Sequence, residues 1–276
     1  MDSNKTNKYK KFLIEIIAVL ISLIILIPFY MTVVNSLKST AESATLGLSL
    51  PKIFYWENYV EVFERGRIGI AFINSTTITF GSVLLIILLG APVAFILQRN
   101  KSKISSYILI FLLLGLIITP SIVPLFFVLD MINLTGTKIG VIFVYTAIFS
   151  PISIYLMYEY LKGLPTELDE AAIVDGCGPV RLFYQVVFPL MLPIISTVSI
   201  FCFIMVWNDF IMPMYFLSGG DNITLPLTIY FFHGQYNSQW NYIFANVVIV
   251  TLPLLIVYLF AQKYIIAGMA SGAVKG

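Results

Sequence analysis

Apolar residues run almost unbroken through six stretches of this chain, roughly 12–34, 69–98, 104–129, 139–161, 190–217 and 242–263. As a helix, each is long enough to cross a hydrocarbon layer about 30 Å thick. None alternates in the way a barrel strand must, so helices are the spanning form expected. The pattern predicts an all-α polytopic membrane protein with six transmembrane helices. Prolines punctuate the runs at Pro28, Pro92, Pro120, Pro124, Pro151, Pro193, Pro213 and Pro253. Each removes a backbone donor and bends a helix, which fits a pathway protein better than a passive anchor.

Between the fourth and fifth runs the pattern changes, over PTELDEAAIVDGCGPVRLFYQVVFPLMLP, residues 165–193. Thr166 with Asp169 three residues on reads as an N-terminal cap. The helix it opens is predicted from Glu167 to about Asp175, with Gly176 in the left-handed position beyond its end. Gly178-Pro179 restarts the chain, proline suiting a first helical turn. The second helix is expected to run to Phe188, with Val180, Phe183, Tyr184 and Val187 as one apolar stripe. In the first helix, Leu168, Ala171, Ala172 and Asp175 share that spacing. This bracket is too short to span and too amphipathic for oil. Ala171-Ala172 leaves a low surface that lets another backbone approach, and Asp169 and Glu170 offer acceptors to a cationic partner. Two readings stand: a hairpin packed on its own bundle, or a docking element for another protein.

Composition reinforces the membrane reading. The chain is 59% hydrophobic and 11% charged, where a soluble domain is about 25% charged. Lys5, Lys8, Lys10 and Lys11 precede the first run, which is too long for a signal-peptide core and is expected to remain as a span. With the N-terminus inside, eleven Lys and Arg residues fall on inside segments and five on outside ones. The positive-inside rule then places both termini, and the 166–188 bracket, in the cytoplasm. A net charge of +2 implies no nucleic-acid partner. Cys177 and Cys202 are placed for neither a disulfide nor a metal site, and His233 stands alone. The sequence has no phosphate-binding Gly-x-x-x-x-Gly-Lys-Ser/Thr loop and no paired catalytic groups at membrane depth.

Other polar residues leave alternatives open. Trp207, Asn208 and Asp209 lie in the fifth run, where a carboxylate is costly unless it faces a cavity or partner. They read as a translocation-path or inter-subunit contact, or as boundary residues hydrogen-bonded to backbone. Asn74, Ser75, Thr76 and Thr77 suit helix packing as well as a polar lining. The outside segment 35–68 contains PKIFYWENYVEVF, whose aromatics suit a helix at a membrane interface, the alternative being a plain connecting loop. The segment 218–241 is either a connecting loop or a contact for an external partner.

EAAIVDGCGPVRLFYQVVFP resembles the EAA motif of the membrane subunits of ATP-binding-cassette importers. Glu170, Ala171, Ala172, Gly176 and Pro189 match at the motif spacing, with Val186 and Phe188 replacing the usual Ile and Leu. WENYVEVF, FINS at 72–75, VWNDF at 206–210 and the terminal SGAVKG are similar to the sugar-importing branch, in particular to permeases related to the shorter one of the maltose transporter. The resemblance implies the type I importer permease fold and a non-enzymatic subunit, with docking to an ATPase through Glu170, Ala171, Ala172 and Gly176. It implies a second permease subunit, two cytoplasmic ATPase subunits that bind ATP and Mg, and an external sugar-binding protein as partners, with no cofactor in this chain. The 218–241 loop would face that binding protein and the Lys275-containing tail the ATPase. On this reading residues 1–68 hold the first span and external loop, 69–263 the permease core, and 264–276 a cytoplasmic tail. Another solute for the same architecture (an amino acid or polyamine), a stand-alone secondary transporter and an intramembrane enzyme are the competing readings.

Overall fold

The structure, a computed structural model, describes the backbone of residues 3–118, 120–217, 219–234 and 238–273, and the side chains of those lying within 11–260. It resolves into two compact units, Met1–Ile68 with Thr228–Leu252, and Gly69–Leu227 with Pro253–Gly276.

The first unit opens with α1 (Ser3–Ser36), which carries Pro28. The short α2 (Thr40–Ser43) follows, its start capped by the Ser39 hydroxyl accepting from Glu42 N–H. Next is α3 (Glu57–Arg65). This is the amphipathic helix expected from the sequence, and it has three faces. Asn58 and Val62 point inward, Glu57, Glu61 and Glu64 carry charge, and Trp56, Val60 and Phe63 leave an apolar stripe exposed. Asn58 anchors it: Nδ2 donates to the Ser36 carbonyl (2.8 Å) and the Lys38 carbonyl (2.9 Å), while Oδ1 accepts from Asn241 Nδ2 (2.9 Å). One buried amide thus satisfies the last carbonyl of α1, which the helix leaves free, and one carbonyl just beyond it. The Arg65 guanidinium lies over the rings of Phe232 and Tyr242, a cation–π arrangement.

The second unit is built on α4 (Ile68–Arg99), α5 (Lys103–Ile117), α6 (Ile122–Met131) and α7 (Lys138–Leu161). α5 and α7 start at hydroxyl caps, Ser102 accepting from Ser105 N–H and Thr137 from Gly140 N–H. The third apolar run, expected as one span, is two shorter helices. Pro120 has no N–H to continue α5. Ile118 has already left helical geometry, with ψ at 109°. α7 approaches α4 closely: a methyl at Gly81 would stand 2.8 Å from Ile142 Cδ1, and one at Gly90 3.0 Å from Met157 Cε. Small residues at such crossings let membrane helices pack without a hydrophobic driving force.

Chain order continues with α8 (Glu167–Val174), α9 (Pro179–Leu182), a π-helical turn (Phe183–Val187), α10 (Phe188–Leu190), α11 (Leu192–Asn208) and α12 (Ile211–Phe216). A 3-10 turn (Leu225–Phe231) and α13 (Trp240–Ala273), with Pro253 inside it, complete the fold. Among the described residues, α1, α4, α7 and α13 are each long and apolar enough to cross a bilayer. Pro179–Leu190 with Leu192–Asn208 makes a fifth candidate, bent by 73° at Met191. The inner core of this unit joins Ile86, Ala94 and Leu97 of α4 to Met157 and Leu161 of α7 and to Val187, Met191 and Cys202. The Lys275-containing tail lies outside the described residues.

Candidate functional site

The 166–188 bracket forms two short helical segments joined by a glycine turn. α8 begins one residue after Thr166, as its acid-rich first turn predicts. Glu167, Asp169 and Glu170 sit there, where negative charge complements the helix dipole. The expected hydroxyl cap does not form. Thr166 is already helical, at φ -75° and ψ -19°. Its side chain therefore lacks the extended backbone geometry that a cap needs. Its carbonyl instead accepts from Asp169 N–H (3.0 Å) and Glu170 N–H (3.1 Å).

The C-terminal end matches the expectation. Gly176 adopts φ +83°. Its N–H donates to the Ile173 carbonyl (2.9 Å) and the Cys177 N–H to the Ala172 carbonyl (2.9 Å). These are the two bonds of a Schellman cap, and they require a left-handed residue at this position. Gly178 is extended and Pro179 opens α9, also as expected.

Beyond α9 the sequence expectation needs correction. The Phe188 N–H bonds to the Phe183 carbonyl five residues back, so the turn over Phe183–Val187 is π-helical. One extra residue per turn shifts the register. Leu182, Phe183 and Val187 are buried, while Val180 and Tyr184, expected on the same stripe, face outward. The helix does not stop before Pro189 but continues to Leu190.

α8 presents two distinct faces. Asp169 and Ala172 are buried, and Ala172 packs into the unit's core. Glu167, Glu170, Ala171 and Val174 are exposed. Their i, i+3, i+4 and i+7 spacing puts them together on the opposite face. Val174 is 87% exposed, and Val180 of α9 is 69% exposed. An acidic pair beside small and apolar groups is suited to receiving a protein surface. Of the four residues singled out by resemblance, Glu170 and Ala171 are on that face, Gly176 ends it, and Ala172 points inward. Asp169 was read as an open acceptor. It is engaged: Arg99 Nε, on the last residue of α4, donates to its Oδ2 at 2.6 Å. The two side chains keep only 16% and 12% of their surface exposed.

The Trp207 cluster is arranged as follows. Trp207 is buried, stacked on Phe203 (centroids 5.3 Å apart) and edge-on to Phe72. Its Nε1 has no hydrogen-bond partner among the described residues. Asn208 is exposed, its amide donating to the Ile204 carbonyl (2.9 Å). Asp209 takes N–H groups at the start of α12, from Ile211 (2.9 Å) and Met212 (3.4 Å), and also accepts from the Tyr145 hydroxyl (2.9 Å). Its carboxylate is thus held by two backbone N–H groups and one buried tyrosine hydroxyl.

Sequence reasoning missed one polar constellation. Asn74 Nδ2 donates to the carbonyls of Asp221 (2.6 Å) and Ile223 (2.8 Å), and its Oδ1 accepts from Lys138 Nζ (3.0 Å). The Ser75 hydroxyl accepts from Leu225 N–H, and Asn222 Nδ2 donates to the Gly136 carbonyl. These bonds stitch the loop before the 3-10 turn onto the ends of α4 and α7. No local pattern announces contacts between positions so far apart in the chain, although adjacent Asn and Ser opening an apolar run were a hint.

Long apolar helices, each able to cross a bilayer, with the short α8 closed by a Schellman cap between two apolar stretches, define an integral membrane protein. The chain belongs to the family of binding-protein-dependent transport system inner membrane components, whose sequence model matches residues 86–271. It is 35% identical over 268 residues to the probable starch degradation products transport system permease protein AmyC of Thermoanaerobacterium thermosulfurigenes, covering 96% of this chain and 97% of that one. It is 33% identical to the melibiose/raffinose/stachyose import permease protein MelC of Bacillus subtilis, covering 96% of each. Among solved structures, a chain of a bacterial ABC transporter involved in the import of the acidic polysaccharide alginate superposes with a TM-score of 0.82 at 20% identity, covering 94% of this chain and 97% of that one. A chain of the MetNI methionine transporter gives a TM-score of 0.54 at 19% identity, covering 73% and 95%. These two likenesses show the fold.

Proposed function

We propose that the chain is a membrane permease subunit of an ATP-driven carbohydrate importer in a bacterial cell membrane. It forms half of the translocation pathway with a second permease subunit and couples to separate ATPase subunits through the 166–188 bracket. The observation that carries the substrate class is the near full-length likeness to relatives named for starch degradation products and for melibiose, raffinose and stachyose. The chain crosses the membrane six times with both termini in the cytoplasm, α5 and α6 together making one crossing. Two cytoplasmic ATPase subunits bind ATP and Mg and supply the chemistry, and an external sugar-binding protein delivers the solute.

On this reading the exposed face of α8, with Glu170 and Ala171, seats in the ATPase, and Gly176 fixes where that lever ends. Ala172 secures it from inside. ATP-driven closure of the ATPase pair displaces α8, and the membrane helices exchange between inward and outward access, a population shift driven by the partner. Trp207 and Asp209 shape the corner between α11 and α12, and Asn208 faces the pathway or the second permease. The test is reconstitution. The chain, co-expressed with its encoded neighbours and placed in proteoliposomes, is expected to retain an ATPase and to take up labelled malto- or raffinose-type oligosaccharides only with ATP. Recovery without an ATPase, or uptake indifferent to ATP, overturns the reading.

A further inference from the structure

We propose that Arg99 and Asp169 are positioning residues that join α8 to the end of α4, so that displacement of the short helix is passed to a membrane helix. This rests on the functional reading above. α8 has only eight residues, and its inward face offers two buried side chains, Ala172 and Asp169. A methyl group in the core resists separation but little sliding or rotation. The 2.6 Å bond from Arg99 Nε to Asp169 Oδ2 is directional and spans 70 residues of sequence. Its setting favours persistence. Asp169 lies in the first turn of α8 and Arg99 in the last turn of the 32-residue α4. Each charge therefore complements its own helix dipole. Both side chains are largely shielded from water, which limits screening of the pair. The Arg99 Nη1 also donates to Gln98 Oε1 at 2.8 Å, which holds the guanidinium plane against α4. Asp169 lies on the side of α8 opposite Glu170 and Ala171, where an ATPase seated on the exposed face leaves it untouched.

A joint of this kind makes a distinct prediction: loosening it uncouples, leaving docking intact. Asp169→Asn keeps the shape and removes the charge. In the assembled, reconstituted complex, the ATPase is expected to remain bound and to hydrolyse ATP, while sugar taken up per ATP falls by about tenfold or more, within the range of coupling losses between linked sites. Asp169→Glu, which restores the carboxylate, should recover part of that ratio. Spin labels at Ile173, exposed on the flank of α8 beside the face that seats in the ATPase, and at the exposed Leu88 of α4 report the joint without any substrate. Their distance distribution should broaden in Asp169→Asn and in the charge-retaining Arg99→Lys, which loses the planar fork. The idea is overturned if the distribution is unchanged, or if uptake and ATP hydrolysis stay proportional in every variant. Wild-type uptake is the separate control: were it absent while the labels still responded, the transporter reading would fail and the joint would stand.

Discussion

The backbone at Gly176 sits at φ +83°, and a Cβ there would meet no atom within 4 Å among the described residues. Substitution is therefore a matter of backbone conformation, not of space. Gly176→Ala should cost about 1–3 kcal/mol at the end of α8. Gly176→Asn should cost less, because asparagine tolerates the left-handed region. Hydrogen exchange of the Gly176 and Cys177 amides, whose bonds form the cap, should speed up in the order Gly, Asn, Ala; equal rates for Asn and Ala would contradict the argument. This residue was legible in the sequence because a helix end is a local event written within a few positions. Its neighbours were less so. Nothing close to Asp169 in the chain says that it turns inward, since its partner is Arg99. The outward or inward sense of Ala171 and Ala172 was equally hidden, because two alanines carry no bias until tertiary contacts rotate the helix.

Among the elements, helix identity followed directly from apolar runs, while helix continuity did not. Pro120 was read as one bend among many, yet it ends α5, because a residue without an N–H and with a restricted predecessor leaves the helix two defects at once. The π-helical turn was not legible at all. Val180, Phe183, Tyr184 and Val187 make a sound α-helical stripe, and only packing of Leu182, Phe183 and Val187 into one core selects the wider turn. Deleting the exposed Gln185 removes the extra residue. The segment should then become regular α-helix, in which Val187 stands four places after Leu182 and three after Phe183 and stays on their face. The melting temperature of the detergent-solubilised protein should therefore change little. A loss of about 2–5 kcal/mol, as for truncating a large buried side chain, would show that the wider turn itself is needed.

Long-range stitching and membrane sidedness belong to the whole chain. Asn74 satisfies two loop carbonyls and one lysine at once. Asn74→Ala leaves all three without that partner, at about 1–3 kcal/mol for each buried group left unsatisfied. Asn74→Asp keeps an acceptor for Lys138 but sets a carboxylate against the carbonyls of Asp221 and Ile223. Both variants should expose the 219–227 loop to protease, with Asn74→Asp no better than Asn74→Ala; a loop as resistant as in the parent would show that the other bonds hold it alone.

Sidedness is encoded differently, in the unequal placement of Lys and Arg along the chain, and no contact within the fold reports it. The charge bias puts residue 174 inside and residue 52 outside. Both are exposed: Val174 on the outer face of α8, and Lys52 in the segment before α3. In a background carrying Cys177→Ser and Cys202→Ala, Val174→Cys in intact cells should react with a membrane-impermeant maleimide only after the membrane is opened, whereas Lys52→Cys should react at once. Val174→Cys and Lys52→Cys remove no buried group, and the buried Cys202 is replaced in both variants alike, so the contrast between the two positions reports access. The reverse pattern would place the bracket on the external face, where no ATPase could reach Glu170 and Ala171. Labelling of both from one side would require an even number of crossings between them. α4, α7 and a single crossing by α5 with α6 make an odd number, so that outcome would overturn the pairing of those two shorter helices.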